Sequence, residues 1–359
     1  MRKRVLVAGF ATRHVVQSAY RAGYDVYAVD HFCDQDLCWY TKDRATFDEL
    51  DEIPAAIETI ASTYPIDIFV VTSGAEDLKT PLPLYGTHPE QVARHLDKLD
   101  LQHFFEEHAI PVPRLAAAGD YPCLIKPRRG AGGWRNRIIS SEEERNQWEE
   151  TWPDVPFLCQ QVVHGQACSV SCIGDGMHAR AVATNEQMLR SEGERAFGFA
   201  GSITPFLHAK AGAMVHDAEK AVSLSGCRGS VGVDFIAGET PWAIEINPRF
   251  QATVDTVEMA TGCNLFSLHV DACRGAIPAA MPEPRRFAAR RILFADRDLV
   301  VADDLKHLAP RISDIPWVGS EFENGAAVVS AYGWGSTRAG ALDMLDKTIT
   351  HLRRYMSRW

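Results

Sequence analysis

The first third of the chain alternates between short apolar runs and amphipathic segments. Continuous β-branched runs indicate strands, and apolar positions that recur every three or four residues indicate helices. The predicted elements are a strand over 4–9, a helix over 15–23, a strand over 25–29, a helix over 54–64 and a strand over 66–71. This alternation predicts a parallel βαβαβ unit, whose ligands would lie at the carboxyl ends of the strands. The residues expected there are Thr12, Arg13, Asp30, Ser73 and Glu76.

A nicotinamide cofactor is a weak interpretation of this unit. Only Gly9 of a dinucleotide-binding fingerprint is present, because the residues at 10–13 are Phe-Ala-Thr-Arg rather than the remaining glycines. The glycines of that fingerprint allow the backbone to approach a pyrophosphate, and their loss removes the main reason to expect it.

Two later β-branched segments, 230–236 and 241–250, are separated by turn residues and predict a β-hairpin. Glu245, Asn247 and Arg249 alternate in the second segment, so their side chains should share one face, and Asp234 should lie beside Glu245. Carboxylate and amide oxygens suit Mg²⁺ between phosphates, and a guanidinium suits a transferred oxyanion. The hairpin therefore predicts either a magnesium nucleotide site or the charged, solvated face of a half-buried sheet.

A short apolar run ends in Lys126 and leads into a turn that contains Gly130, Gly132 and Gly133. A lysine at a strand end can reach phosphate oxygens, and glycines let backbone N–H groups approach the same anion. The Walker pattern of Gly-Lys-Ser/Thr is absent, so this is a different kind of phosphate site or a plain hairpin connection. Upstream, Lys98 opens an amphipathic segment that stops before Pro111.

Composition favours a soluble globular enzyme of two or three domains, since the 359 residues are 46% hydrophobic and 23% charged. A net charge of -10 gives no basic footprint, so nucleic acid is not an expected ligand. No run approaches about 18 apolar residues, and the first apolar run is too short for a signal peptide. We therefore expect a cytoplasmic protein that does not bind a membrane.

The nine cysteines form an odd, scattered set, which favours reduced thiols over a disulfide framework. His31, Cys33 and Cys38 could begin a zinc site. No second pair of ligands follows at a suitable spacing, so a structural role is favoured and metal binding stays open.

Taken in order, the segments resemble the ATP-grasp superfamily over about residues 1 to 275, and several spaced motifs are more specific than one. The matching segments are Asp-Lys at 97–98, Ile-Pro-Val-Pro at 110–113, Leu-Ile-Lys-Pro at 124–127, Gln-Gln-Val-Val at 160–163, Val-Asp-Phe-Ile at 233–236 and Glu-Ile-Asn-Pro-Arg at 245–249. The opening segments, with 185–187 and 198–205, look like an archaeal and methylotroph group of predicted ATP-dependent carboligases related to biotin carboxylase.

The resemblance implies an α/β fold with a parallel N-terminal domain, followed by a two-part ATP-grasp fold. The expected divisions are a Rossmann-like pre-grasp domain over 1–95, an α+β lid with the glycine-rich loop over 96–180, and a core with magnesium-binding strands and C-terminal covering elements over 181–359.

The resemblance also implies the roles of the site residues. Nucleotide phosphates would contact Lys98, Lys126, Gly130, Gly132 and Gly133; adenine would contact Gln160, Gln161 and Val163; and Mg²⁺ would be held by Asp234, Glu245 and Asn247. Arg249 falls where the carboxylase and carbamoyl-phosphate branches have an arginine near the acyl phosphate. Arg249 and Lys126 are therefore the expected catalytic residues.

Two positions depart from the family's pattern. Ala167 occupies the place of a glutamate that usually binds the ribose, so ribose recognition must come from elsewhere, with Gln166 as a candidate, or be weaker. Gly232 occupies the place of an arginine in amino-acid ligases of the D-alanine type, which argues against that activity. Segment 198–205 is interpreted either as a flexible connection or as a loop lining the acceptor pocket.

The expected function is an ATP- and Mg²⁺-dependent carboxylate-amine ligase that forms an acyl phosphate and releases ADP and phosphate. The alternatives are a bicarbonate-dependent carboligase like biotin carboxylase, and a nucleotide-binding regulator without catalysis. The expected partners are a small-molecule carboxylate and an amine. Their identities and the oligomeric state, including a homodimer, stay open.

Overall fold

A four-stranded parallel sheet, in the order β3-β2-β1-β4, forms the N-terminal part of the chain. The computed structural model describes residues 2–130, 132–190 and 196–359. The first elements are β1 (Arg4–Gly9), α1 (Arg13–Arg21), β2 (Asp25–Asp30), α2 (Gln35–Tyr40), β3 (Asp43–Ala45), α3 (Ile53–Ala61) and β4 (Ile68–Val71). The predicted βαβαβ alternation is confirmed. Elements α2 and β3 were not predicted, because six and three residues are too short to show a clear periodicity.

A small antiparallel sheet, in the order β6-β5-β7, follows two helices. Its elements are α4 (Pro89–Leu96), α5 (Lys98–Glu107), β5 (Cys123–Pro127), β6 (Arg137–Ile139), α6 (Glu142–Thr151) and β7 (Phe157–Gln161). Asp97 caps α5 by accepting a hydrogen bond from the backbone N–H of Leu99 at 2.9 Å. Trp148 of α6 packs with Ile125 of β5 in the buried layer beneath this sheet.

An eight-stranded antiparallel sheet, in the order β12-β11-β8-β9-β10-β13-β17-β15, forms the rest of the fold. Its strands and the neighbouring elements are β8 (Gln166–Asp175), β9 (Ala179–Leu189), β10 (Phe199–Thr204), α7 (Ala211–Ser225), β11 (Arg228–Ala237), β12 (Pro241–Asn247), α8 (Val254–Thr261), α9 (Leu265–Cys273), β13 (Phe287–Phe294), β14 (Leu299–Val300), β15 (Ile312–Ser313), β16 (Glu321–Phe322), β17 (Ala327–Gly335) and α10 (Arg338–Met356). Strand β8 pairs with β9 and with β11, so the large sheet begins in the chain at Gln166. No described helix has the length and apolar character needed to cross a bilayer.

Segment 198–205, interpreted from its composition as a connection or loop, contains strand β10 instead. Its small polar side chains are buried and paired within the fold. Thr204 donates to the side-chain oxygen of Asn185 at 2.7 Å, and Ser202 lies 3.0 Å from the hydroxyl of Thr256. These hydrogen bonds satisfy polar atoms that would otherwise favour an exposed loop.

The buried, hydrogen-bonded environment of His269 predicts that the stability of the protein depends on pH. Its Nδ1 accepts from the backbone N–H of Ser230 at 2.8 Å, its Nε2 contacts the carbonyl oxygen of Tyr85 at 2.9 Å, and burial lowers its pKa to about 4. The unfolded chain takes up a proton on this histidine below about pH 6.5, whereas the folded chain does not. The folded-state pKa is thus depressed, and stability is lost as pH falls from about 6.5 to about 4.

We expect His269 alone to lower the free energy of unfolding by about 2 kcal/mol between about pH 6.5 and 5. Urea denaturation at both pH values measures this change. His269→Gln keeps an acceptor and a donor and should show a smaller loss. An identical loss in the parent and the variant would assign the pH dependence to other groups.

Candidate functional site

A cleft between the small sheet and one edge of the large sheet brings most of the predicted site residues together. The predicted residues that line it are Lys98, Lys126, Gly130, Gly132, Gly133, Gln160, Gln161, Val163, Asp234 and Glu245. The remaining two are joined to this set by hydrogen bonds. Asn247 donates to Asp234 at 3.0 Å, and Arg249 donates to the side-chain oxygen of Asn247 at 3.2 Å.

The β11-β12 hairpin places Asp234 directly opposite Glu245, in the register expected from the turn. Beyond this pair the register shifts, because Phe235 pairs with Ala243 and Ile244 is an extra residue on β12. A bulge of this kind re-aims neighbouring side chains, and both Ile244 and Glu245 line the cleft. The acid pair therefore has an apolar surface beside it.

The acid pair has the chemistry of a site for a hard dication. Desolvation and then the charge of Glu245 raise the pKa of Asp234 to about 7. The Asp234 carboxylate accepts from the amides of Gln187 at 2.9 Å and Asn247 at 3.0 Å. Two carboxylates and an amide oxygen are ligands that Mg²⁺ uses, with the rest of its sphere supplied by water and substrate phosphates. The residues present fit the metal.

Two lysines and the glycine turn face the same cleft. Lys126 is 3% exposed, and desolvation lowers its pKa to about 8, with Glu245 raising it and Lys98 lowering it further. Lys98 Nζ donates to the carbonyl oxygen of Gly130 at 2.7 Å. Gly130 and Gly132 have positive φ, and nothing lies within 4 Å of the position a Cβ would take. This open turn beside two ammonium groups suits a polyphosphate. Ala131 lies outside the described residues.

An ion pair joins the glycine turn to α5. Arg128 donates to both oxygens of Asp97, at 2.9 and 2.8 Å, and its own carbonyl accepts from the backbone N–H of Lys98 at 2.8 Å. Since Asp97 also caps α5, these contacts fix where Lys98 begins the helix. The sequence pattern found the lysine, and the roles of Asp97 and Arg128 became visible only in the structure.

The predicted adenine residues lie at the end of β7 and just after it, on the small sheet that also carries Lys126. Gln160 is buried, and its amide donates to the side-chain oxygen of Gln102 in α5. The candidate for the ribose contact, Gln166, instead donates to the carbonyl of Gln187 at 3.0 Å and does not line the cleft, whereas Ala167 does. The structure gives Gln166 no direct role in the cleft.

Sequence reasoning missed two residues of β9, Gln187 and Leu189, which line the cleft, and Gln187 also donates to Asp234. The sequence also gave no indication of Ile236 of β11, which adds to the apolar wall of the cleft. Alternation along β9 puts Gln187 and Leu189 on one face, and this was the signal that could have found them.

The candidate zinc ligands His31, Cys33 and Cys38 each contact a nearby backbone carbonyl. Cys33 Sγ lies 3.5 Å from the carbonyl of Asp30, Cys38 Sγ lies 3.9 Å from the carbonyl of Cys33, and His31 Nδ1 lies 3.0 Å from that of Phe47. Within the described ranges, no group of three or more His, Cys, Asp and Glu side chains could hold a metal ion.

Comparison with known proteins shows two sequence similarities. The ATP-grasp domain family model matches residues 95–253, the stretch that contains all the cleft residues predicted above. An uncharacterized protein of Methanocaldococcus jannaschii is 23% identical over 357 residues, covering 91% of this chain and 87% of that protein.

Solved structures share the fold at low sequence identity. The biotin carboxylase domain of the 2-oxoglutarate carboxylase of Hydrogenobacter thermophilus, a dimer in complex with MgADP, ADP and bicarbonate, superposes with a TM-score of 0.80 at 15% identity over 98% of this chain and 90% of that chain. Phosphoribosylamine-glycine ligase of Thermotoga maritima gives 0.73 at 17% identity, with coverages of 97% and 96%. The chain spans only 37% of the pyruvate carboxylase of Rhizobium etli, with a TM-score of 0.79, 13% identity and 97% of this chain covered.

Proposed function

Since residues 95–253 of this chain are an ATP-grasp domain, we propose that the protein is an ATP- and Mg²⁺-dependent carboxylate-amine ligase that acts through an acyl phosphate. The domain match confirms the predicted superfamily and, with it, the class of ATP-grasp ligases, and the solved structures confirm the α/β fold. The observation that carries the proposal is the single cleft in which two lysines and an open glycine turn face a pair of carboxylates.

Each part of the cleft has an expected share in binding ATP. Lys98, Lys126 and the glycine turn would contact the phosphates, and the apolar wall beside Val163 would take the adenine. Asp234, Glu245 and Asn247 would hold Mg²⁺, which supplies positive charge against the phosphate oxygens when it is bound.

The proposed reaction has two transfers. A carboxylate oxygen of the first substrate attacks the γ-phosphorus of ATP, the bond to the bridging oxygen breaks, and ADP leaves. Lys126 offsets the negative charge that develops during this transfer. The amine nitrogen then attacks the acyl carbon, phosphate leaves, and the nitrogen loses a proton to give the amide. Arg249, which contacts Asn247, would pair with the acyl phosphate through two N–H groups.

A bicarbonate-dependent carboligase is the second candidate, because the structurally similar Hydrogenobacter thermophilus domain contains bicarbonate together with MgADP. Bicarbonate would then replace the carboxylate as the group that attacks ATP, and carboxyphosphate would replace the acyl phosphate.

The deciding experiment measures ADP release with pools of carboxylates and amines, each with and without bicarbonate. We expect release to need a carboxylate and an amine together. Release that needs bicarbonate and no other carboxylate would favour the carboligase. Nucleotide binding without turnover in any pool would favour a regulator and contradict the proposal.

Glu245→Gln is expected to weaken Mg²⁺-dependent ATP binding by about tenfold, because the amide keeps the size of the side chain and loses the charge that a hard dication needs. Isothermal calorimetry with ATP, with and without Mg²⁺, measures the change. Glu239 lies exposed in the turn of the same hairpin, and Glu239→Gln is the matched control that should bind like the parent. Binding by the Glu245 variant as tight as that of the control would remove this residue from the metal site.

A further inference from the structure

A second cavity lies between the carboxyl ends of β1 and β2 and strands β13 and β17 of the large sheet. Among the residues that the structure describes, this cavity and the nucleotide cleft share no lining residue. The two sites are nevertheless close in the chain, because Ala252 of the second cavity follows Arg249 by three residues. The carboxyl ends of parallel strands are where open α/β sheets bind ligands. We propose that this cavity binds the amine substrate and that this amine carries an apolar or aromatic body; the inference rests on the proposed ligase function.

The two arginines of the cavity are already paired. Arg13 donates to Asp314 at 2.8 Å and to both oxygens of Asp255. Arg290 donates to Asp314 at 2.8 Å and to the carbonyl of Ala252 at 2.8 Å. Burial alone would raise the pKa of Asp255, but the charge of Arg13 keeps this pKa well below its ordinary value. Their charges are therefore matched by aspartates, and neither guanidinium is left to select an anionic ligand.

The N-terminus of α1, which would also attract an anion, is occupied by Asp30 from β2. This carboxylate accepts hydrogen bonds from the backbone N–H and from the hydroxyl of Thr12, the latter at 2.8 Å. Its other oxygen accepts from the backbone N–H groups of Phe32 and Cys33, both at 2.9 Å. Asp30 is thus a fully hydrogen-bonded structural group, and its negative charge at this helix end opposes the binding of an anionic ligand.

Two polar side chains of the cavity are left without a partner. Among the described residues, neither Asp34 nor His14 forms a side-chain hydrogen bond or a direct ion pair, and both line the cavity. His14 is only 8% exposed, and burial lowers its pKa to about 3, which leaves a neutral imidazole that can accept a hydrogen bond. Desolvation and then the charges of Asp314 and Asp36 raise the pKa of Asp34 well above its ordinary value.

An unpaired carboxylate and a hydrogen-bond acceptor facing one space complement the N–H groups of an ammonium ion. A bound cation would also lower the pKa of Asp34, which desolvation and then the charges of Asp314 and Asp36 raise. An amino acid fits less well, because its carboxylate would meet these aspartates with no free cation to pair with it.

The remaining walls are apolar. They include Phe10 and Phe32, which are 38% and 37% exposed and meet edge to face with ring centroids 5.2 Å apart. Ile292 and Val328 come from the large sheet, and Phe322 comes from β16. Exposed aromatic rings beside a cavity favour a ligand with a hydrophobic body, which they can cover while the ammonium is held by polar groups.

Calorimetry on the full chain without nucleotide tests the site, with 2-phenylethylamine and 3-phenylpropanoate as probes of similar shape and opposite charge. We expect the amine to bind at least about tenfold more tightly than the acid. Asp34→Asn should weaken amine binding about tenfold or more, while Asp51→Asn, at an exposed position of the same sheet domain, should not. His14→Gln, which keeps an acceptor, should bind the amine more tightly than His14→Leu.

Equal binding of the two probes, preference for the acid, no binding of the amine, or parental binding by Asp34→Asn would each overturn the inference. The outcome is separable from that of the proposed ligase function. Amine binding without ADP release in any pool would contradict the ligase and leave this site in place. ADP release from a carboxylate and a hydrophilic amine, without binding of 2-phenylethylamine, would support the ligase and contradict the apolar amine site.

Discussion

Lys126→Met is expected to lower the rate of ADP formation by about two orders of magnitude or more, the scale of losing one charged contact to a transition state. Lys126 is the penultimate residue of β5, faces the acid pair across the cleft and forms no ion pair with the described residues. A buried ammonium without a direct counter-ion costs stability, and methionine has a similar length without the charge. The variant should therefore melt at the same temperature as the parent or higher.

Steady-state ADP release and thermal melting of the same samples provide the measurements. Lys210→Met, which removes an exposed lysine outside the cleft, is the matched control and should keep the parental rate. A rate for Lys126→Met equal to that of the control would exclude Lys126 from the reaction. A fall in melting temperature together with the rate would indicate a structural role instead.

Arg249→Met is expected to bind Mg-ATP nearly as well as the parent and to lose about two orders of magnitude in acceptor-dependent ADP formation. Its guanidinium contacts Asn247 and lies beside the metal residues without lining the nucleotide cleft. Arg249→Lys should recover only part of the activity, because lysine supplies the charge without the bidentate fork.

A structural role for Arg249 is the competing explanation, since its Nε also donates to Glu76 of the N-terminal part at 2.5 Å. Glu76→Gln removes the charge of this partner and keeps Arg249. If Arg249 acts only as a bridge between the two parts of the fold, Glu76→Gln should reproduce the loss. If Arg249→Met abolishes ATP binding with the fold preserved, the arginine belongs to the nucleotide site and the acyl-phosphate role is wrong.

The elements that could be read from the sequence depend on neighbours in the chain. The strands over 4–9 and 25–29 and the Asp234-Glu245 hairpin follow from periodicity and turn residues, which act over a few positions. Lys126 and its glycine turn were found for the same reason, because the strand, the lysine and the glycines are consecutive. A local pattern was enough to predict these features and the α/β class.

The contacts that complete the two sites join residues far apart in the chain. Gln187 reaches Asp234 because β8 lies between β9 and β11 in the large sheet, and no local pattern encodes that order. Arg13 meets Asp314 across about 300 positions, so the charge balance of the second cavity depends on how the N-terminal sheet packs against β13 and β17. Strand 199–204 was misread for the same reason, since its polar side chains are stable in the interior only when Asn185 and Thr256 are packed against them. Burial and pairing at a distance, rather than residue type, give these side chains their charges and partners.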